Sequence, residues 1–231
     1  MHGGGVFALS VDVCDKLPRL YVQNTGVPIL SVDYRLAPEV RAPVPTLDCF
    51  AGLKYLVDHA SELGVDPARI AVMGESGGGY LAASLTHHVK AVGGPKLSKQ
   101  ILIYPMLDGR PLVVEENLAP FLVVDVPGDN ATGWQALLGD KAGGPDVPAV
   151  HAPGRMTIEE ASDMPPAYVE VGQLDPLREG CLDYVRKLGK AGVDVTFHLW
   201  AGAPHVFEFM APEGELARLA MGERFRAIGS L

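Results

Sequence analysis

The sequence predicts a mainly parallel β-sheet with helices on both of its faces. Three observations predict it. Short apolar runs rich in β-branched residues alternate along the chain with longer segments whose apolar positions recur at helical spacing. The short runs are continuously apolar rather than alternating, which is the pattern of strands covered on both sides. The segments between them are long enough to be helical crossovers, which parallel neighbours require.

The elements follow in order. VPILSVDY (27–34) reads as the first strand. In LDCFAGLKYLVDHASEL (47–63), Leu47, Phe50, Leu53, Val57 and Ala60 share one helical face, and Gly64 ends the run. RIAVMG (69–74) reads as a strand and GGGYLAASLTHHV (77–89) as the helix after it. KQILIY (99–104) and AYVEVG (167–172) are the third and fourth strands. LREGCLDYVRKLGKAG (177–192) groups Leu177, Cys181, Tyr184, Val185 and Leu188 on one face. DVTFHLW (194–200) is a fifth strand, and GELARLAMGERFRAI (214–228) a closing helix. Between 109 and 165 the alternation lapses into Pro- and Gly-rich sequence with one helical stretch near 133–139. Such an insertion in a single domain spanning 1–231 is expected to be a lid or a binding wall.

Bulk properties narrow the function. With 48% hydrophobic residues, the 231-residue chain can build one sizeable core. A net charge of −9 argues against nucleic acid or an anionic membrane as partner. No apolar run approaches the roughly 20 residues that span a bilayer, and no signal peptide is visible. Cys14, Cys49 and Cys181 are odd in number and widely spaced, so they read as free thiols of a cytoplasmic protein.

Chemistry concentrates where strand 69–74 hands over to helix 77–89. There GESGGG (74–79) contains G-x-S-x-G as Gly74, Ser76 and Gly78. A serine on a sharp strand–turn–helix corner, with glycines where side chains would clash, is a nucleophile elbow. Neither a P-loop nor a dinucleotide fingerprint is present. A serine hydroxyl needs a base, and the base needs a carboxylate to orient it. Asp175 lies just past strand 167–172, and His205 just past strand 194–200. All three groups thus fall at the carboxyl ends of strands, where open α/β sheets place their sites. The rivals fit less well. His198 lies inside a strand. His87 and His88 are helix neighbours pointing about 100° apart, so they cannot share a metal. His59 and His151 read as solvated. Asp108 is the rival carboxylate, and Glu75 reads as a brace for the turn.

The chain opens on MHGGG. Glycine allows close approach of the backbone, and N–H groups aimed at a developing oxyanion are worth about 3–4 kcal/mol each. Gly3 and Gly4, with Gly77 after the serine, are the candidate donors, and His2 the brace of their loop.

At this point the sequence resembles the hormone-sensitive-lipase-like (bacterial family IV) esterases of the α/β-hydrolase superfamily. The resemblance rests on HGGG (2–5), VDYRLAPE (32–39), GESGGG (74–79), GGPKLSKQILIYPMLD (93–108), PPAYVEVGQLDPLREG (165–180) and GAPHVFEF (202–209), in the family's order. It implies an α/β-hydrolase fold and hydrolysis of short- to medium-chain carboxylic esters, a small-molecule substrate, without metal or cofactor. Carried over by motif, Ser76 is nucleophile, His205 base, Asp175 its orienter, and Gly3, Gly4 and Gly77 the oxyanion donors. The alternative is a non-catalytic or impaired member on the same fold. There are departures. The elbow usually reads GDSAGG, and the aspartate segment DPLRDEG rather than DPLREG. In the family, strands and cap helices precede HGGG, whereas here only Met1 does. Strands 27–34 and 69–74 are therefore expected to lack the neighbour between them, as in an N-terminally truncated chain.

Overall fold

The computed structural model describes residues 1–231 except Asn117, Val123 and Asp125. In chain order its elements are α1 (Val11–Cys14), α2 (Lys16–Thr25), α3 (Val44–Asp58), α4 (Ala60–Leu63), β1 (Ala71–Glu75), α5 (Gly77–Val92) and β2 (Lys99–Ile103). There follow α6 (Val126–Leu138), α7 (Ile158–Ala161), β3 (Ala167–Gly172), α8 (Arg178–Lys190), β4 (Val195–Trp200), α9 (Phe207–Met210) and α10 (Glu215–Gly229).

Among the described residues the four strands form one sheet in the order β1-β2-β3-β4, every pair parallel. The register sets Met73 opposite Ile101, Ile101 opposite Tyr168 and Tyr168 opposite Thr196. Every residue of β3 is buried, as the continuous apolar reading of AYVEVG requires, while β4 at the edge is half exposed. α5 packs on β1 and β2, and α8 on β3 and β4. Leu81, Leu85, Ile101, Leu102, Ile103, Val169 and Leu188 all lie in the central core. Burying each such side chain contributes about 1.5–3 kcal/mol, and that cluster fixes the plane from which the site projects.

Four points differ from the sequence expectation. Residues 27–34 form no strand: they run without ladder bonds, and Ile29 and Leu30 stay exposed. A strand needs a neighbour for its N–H and C=O groups. Here a trough of about 570 Å³ separates this run from the free edge of β1, lined by Ile29, Leu30, Val32, Val72 and Met73 among others. The Met1 ammonium occupies one point of that edge, donating to Met73 O at 2.8 Å. The helix expected over 47–63 is two helices, interrupted at His59. Residues 16–25, assigned no element from the sequence, form α2. It buries only Leu17 and Tyr21, too short an apolar stripe to stand out, and ends on Gly26 at φ +70°. The stretch near 133–139 is helical as expected but begins earlier, at Val126.

Candidate active site

β1 ends at Glu75 and α5 begins at Gly77, leaving Ser76 alone at the corner. Its φ of 52° and ψ of −115° are a conformation that L-residues rarely adopt. Such strain costs about 1–3 kcal/mol and persists only where the surroundings over-determine it. They do so here. Ser76 N–H donates to Ile103 O at 2.9 Å, and Ser76 O accepts from Tyr80 N–H and Met106 N–H, both at 3.1 Å. The flanking glycines are demanded by contact. A Cβ on Gly74 would fall 2.1 Å from Gly78 O, and one on Gly78 only 2.3 Å from His2 O and Met1 O. The Ser76 hydroxyl caps no helix N–H, which leaves it free to face outward.

The turns after β3 and β4 are tied together. Leu174 N–H donates to Ala203 O and Gln173 N–H to Trp200 O, both at 2.9 Å. Gly172 permits this, since a Cβ there would sit 2.2 Å from Ala203 O. The result brings Asp175, Ser76 and His205 into one relay. His205 Nδ1 lies 2.6 Å from Asp175 Oδ2, and Nε2 lies 3.2 Å from Ser76 Oγ. Asp175 is fully buried, and its other oxygen accepts Leu177 N–H at 2.8 Å. The carboxylate dictates the tautomer: Nδ1 carries the proton and donates it, so Nε2 presents a lone pair to the hydroxyl. Burial alone lowers the His205 pKa. The charge and hydrogen bond of Asp175 outweigh it, Glu208 and Asp129 add to them, and the net pKa is above the ordinary imidazole value.

The glycine loop lies against the elbow. A Cβ on Gly3 would stand 3.7 Å from Ser76 Cβ, and one on Gly77 would meet Gly5 N at 2.8 Å. Gly4 and Gly5 have φ of +97° and +61°. Gly4 O accepts Ala8 N–H at 2.9 Å, which closes the loop on itself. Among the described residues no backbone acceptor engages Gly3 N–H or Gly4 N–H, and Gly77 N–H is an orphan donor at the first position of α5. His2 is buried and stacked on Tyr34, centroids 4.3 Å apart, and Tyr34 Oη donates to His2 O at 2.8 Å. Nothing local in VDYRLAPE marks Tyr34 for this role, because its partner His2 lies 32 residues away.

One observation decides the family. A model of the alpha/beta hydrolase fold matches residues 1–209. The chain belongs to that family. Within it, the relatives are named esterases and ester hydrolases. It is 37% identical over 201 residues to "Esterase LipI" of Mycobacterium tuberculosis (strain ATCC 25618 / H37Rv), covering 85% of this chain and 61% of that protein. It is 32% identical over 213 residues to "Ethyl acetate hydrolase" of Pseudomonas putida, covering 90% and 64%. The chain thus spans about three fifths of the length of the curated relatives it matches. Among solved structures, "Bacterial Heroin Esterase" superposes with a TM-score of 0.89 at 34% identity, covering 99% of this chain and 72% of that one. An esterase from the archaeon Pyrobaculum calidifontis gives 0.88 at 29% identity, covering 99% and 74%.

The remaining candidate residues resolve on contact. Asp108 is committed to Arg110 and Arg155, which hold its carboxyl below the usual range against the effect of burial. His198 stacks on Trp200, centroids 5.2 Å apart. His87 is buried, and burial pushes its pKa down to about 4. Glu75 braces the turn from below: it is half-buried and accepts Tyr21 Oη–H at 3.0 Å, and desolvation pushes its carboxyl up to about 7. The insertion reaches the site in two places. Phe121, Leu122, Val124, Val126, Leu174 and Pro176 gather over His205 as an apolar wall with no room between them for a water. Gly133 of α6 presses on the glycine loop, where a Cβ would sit 2.4 Å from Gly5 O. Asn117, Val123 and Asp125, within the same insertion, lie outside the described residues.

Proposed function

We propose that this chain carries the catalytic centre of a serine carboxylesterase acting on small short- to medium-chain esters. The observation that carries the reading is the unbroken relay from Asp175 through His205 to Ser76, at 2.6 and 3.2 Å. Ser76 Oγ attacks the ester carbonyl while His205 Nε2 takes its proton. The carbonyl oxygen becomes an oxyanion facing Gly3, Gly4 and Gly77 N–H. His205 returns the proton to the leaving alkoxide, which departs as the alcohol and leaves an acyl-serine. Water then adds to the acyl carbon, with His205 taking its proton. Collapse releases the acid and restores the hydroxyl. Asp175 stabilises the imidazolium formed in both halves. The esterase names of the relatives support the reaction class.

A second reading, an impaired chain that binds esters without turnover, draws support from the trough beside β1, which has Met1 and His2, the approach to the glycine loop, in its wall. Labelling with a serine-directed fluorophosphonate separates the two. The proposal expects stoichiometric labelling that disappears in Ser76→Ala. Labelling that persists in that variant rejects the assignment, and labelling with no turnover of a p-nitrophenyl ester selects the second reading.

A further inference from the structure

Beneath the relay lies a buried polar cluster that the mechanism above does not use. Arg224, from α10, is wholly inaccessible to solvent. Its Nε donates to Glu170 Oε1 at 2.8 Å and its Nη1 to Glu208 Oε1 at 2.6 Å. Glu170 is held in turn by Tyr168 Oη–H at 2.5 Å. Glu208, three residues after His205, also accepts Tyr104 Oη–H at 2.6 Å. Tyr104 sits at the carboxyl end of β2 with φ +34°, pinned by its N–H on Glu170 O at 2.7 Å. Its ring meets the His205 imidazole edge to face, centroids 4.6 Å apart at 65°.

Burying a guanidinium among carboxylates is costly in desolvation and is weak evidence of stabilisation. Its geometric effect is definite. Asp175 fixes only one atom of the imidazole, whereas the tilt of the ring is set by what it packs against. Tyr104 is the aromatic wall, and its far end is anchored at the hydroxyl by Glu208. We propose, given the relay reading above, that Glu208 is a positioning residue for His205, acting through the Tyr104 ring, with Arg224 locking its carboxylate. Glu208 also adds negative charge behind the imidazolium that forms in each half-reaction. The groups facing His205 are then Asp175 from the turn after β3, Glu208 from α9, Asp129 from α6, Tyr104 from the end of β2 and Ser76 from the elbow. Glu75 joins the far end of the cluster through Tyr21, whose hydroxyl lies 3.4 Å from Arg224 Nη1.

The test uses the full chain and a p-nitrophenyl ester, with rates expressed per fluorophosphonate-titratable site so that misfolded protein drops out. Glu208→Gln keeps the shape and removes the charge. It is expected to lower kcat about five- to tenfold with KM within about twofold, and to move the acid limb of kcat/KM down by about half a pH unit. Glu208→Asp keeps the charge, so its limb stays at the parent's position. Tyr104→Phe keeps the ring but releases its anchored end, so kcat falls similarly. The double variant Tyr104→Phe/Glu208→Gln is no slower than the slower single one, because both remove one shared contact. Unchanged kcat and an unchanged limb in Glu208→Gln overturn the proposal, as does a fall in Tm with per-site kcat intact. Should Glu208→Gln not fold, per-site kcat of Tyr104→Phe decides alone. Failure of the relay reading is distinct: there the parent chain does not label, or Ser76→Ala does.

Discussion

Asp175→Asn is the sharpest test of the relay. The carboxylate serves two donors in a fully buried place: Leu177 N–H at 2.8 Å on Oδ1 and His205 Nδ1 at 2.6 Å on Oδ2. Asparagine has one acceptor and one donor group in the same volume. Leaving the buried Leu177 N–H unpaired costs about 1–3 kcal/mol, so the amide oxygen keeps that bond and the NH2 faces the imidazole. His205 must then accept at Nδ1, which moves its own proton to Nε2. Nε2 now points a hydrogen at Ser76 Oγ, 3.2 Å away, and the base can no longer take the serine's proton. The charge that stabilised the imidazolium is also gone. Such a tautomer reversal is expected to lower kcat by about 10³–10⁴-fold, or roughly 4–5.5 kcal/mol of barrier. KM should change little, since no substrate contact is removed. The assay is steady-state hydrolysis of a p-nitrophenyl ester at pH 8, beside the fluorophosphonate labelling rate and thermal unfolding. A variant that folds like the parent yet retains kcat within about tenfold refutes the tautomer argument.

Three further outcomes follow from the geometry. The pKa of His205 is raised, and the neutral ring is the active form. The acid limb of kcat/KM should therefore lie above the ordinary imidazole value of about 6.5, and a limb below it contradicts the environment described. The Glu75 carboxyl, pushed up to about 7 from 4.5, holds its proton more tightly folded than unfolded, so stability is lost as pH rises through that window. Glu75→Gln should be more stable than the parent above pH 7, by up to about 3 kcal/mol, and indistinguishable below pH 4, as read by urea unfolding across pH. Gly78→Ala places a methyl 2.3 Å from two carbonyl oxygens, His2 O and Met1 O, so the elbow and glycine loop must part. A stability loss of about 1–3 kcal/mol with collapse of labelling is expected, and wild-type labelling would mean that the loop does not bear on the elbow.

The sequence by itself determined what is local or periodic. Four of the five expected strands, the crossover helices and the strand–turn–helix at Ser76 are there because apolar periodicity and glycine placement act over a few residues. Asp175 and His205 were legible because both follow strands, and a parallel sheet brings its strands' carboxyl ends to one edge. Tertiary structure alone decided the rest. VPILSVDY has every local mark of a strand, yet among the described residues no neighbouring strand takes its backbone hydrogen bonds. α2 buries too little to leave a pattern. The cluster of Glu75, Tyr104, Glu170, Glu208 and Arg224 draws on five separate elements or turns and was invisible as spacing. Its members meet only because packing α9 and α10 beneath the sheet edge removes water from groups that, along the chain, have nothing to do with one another.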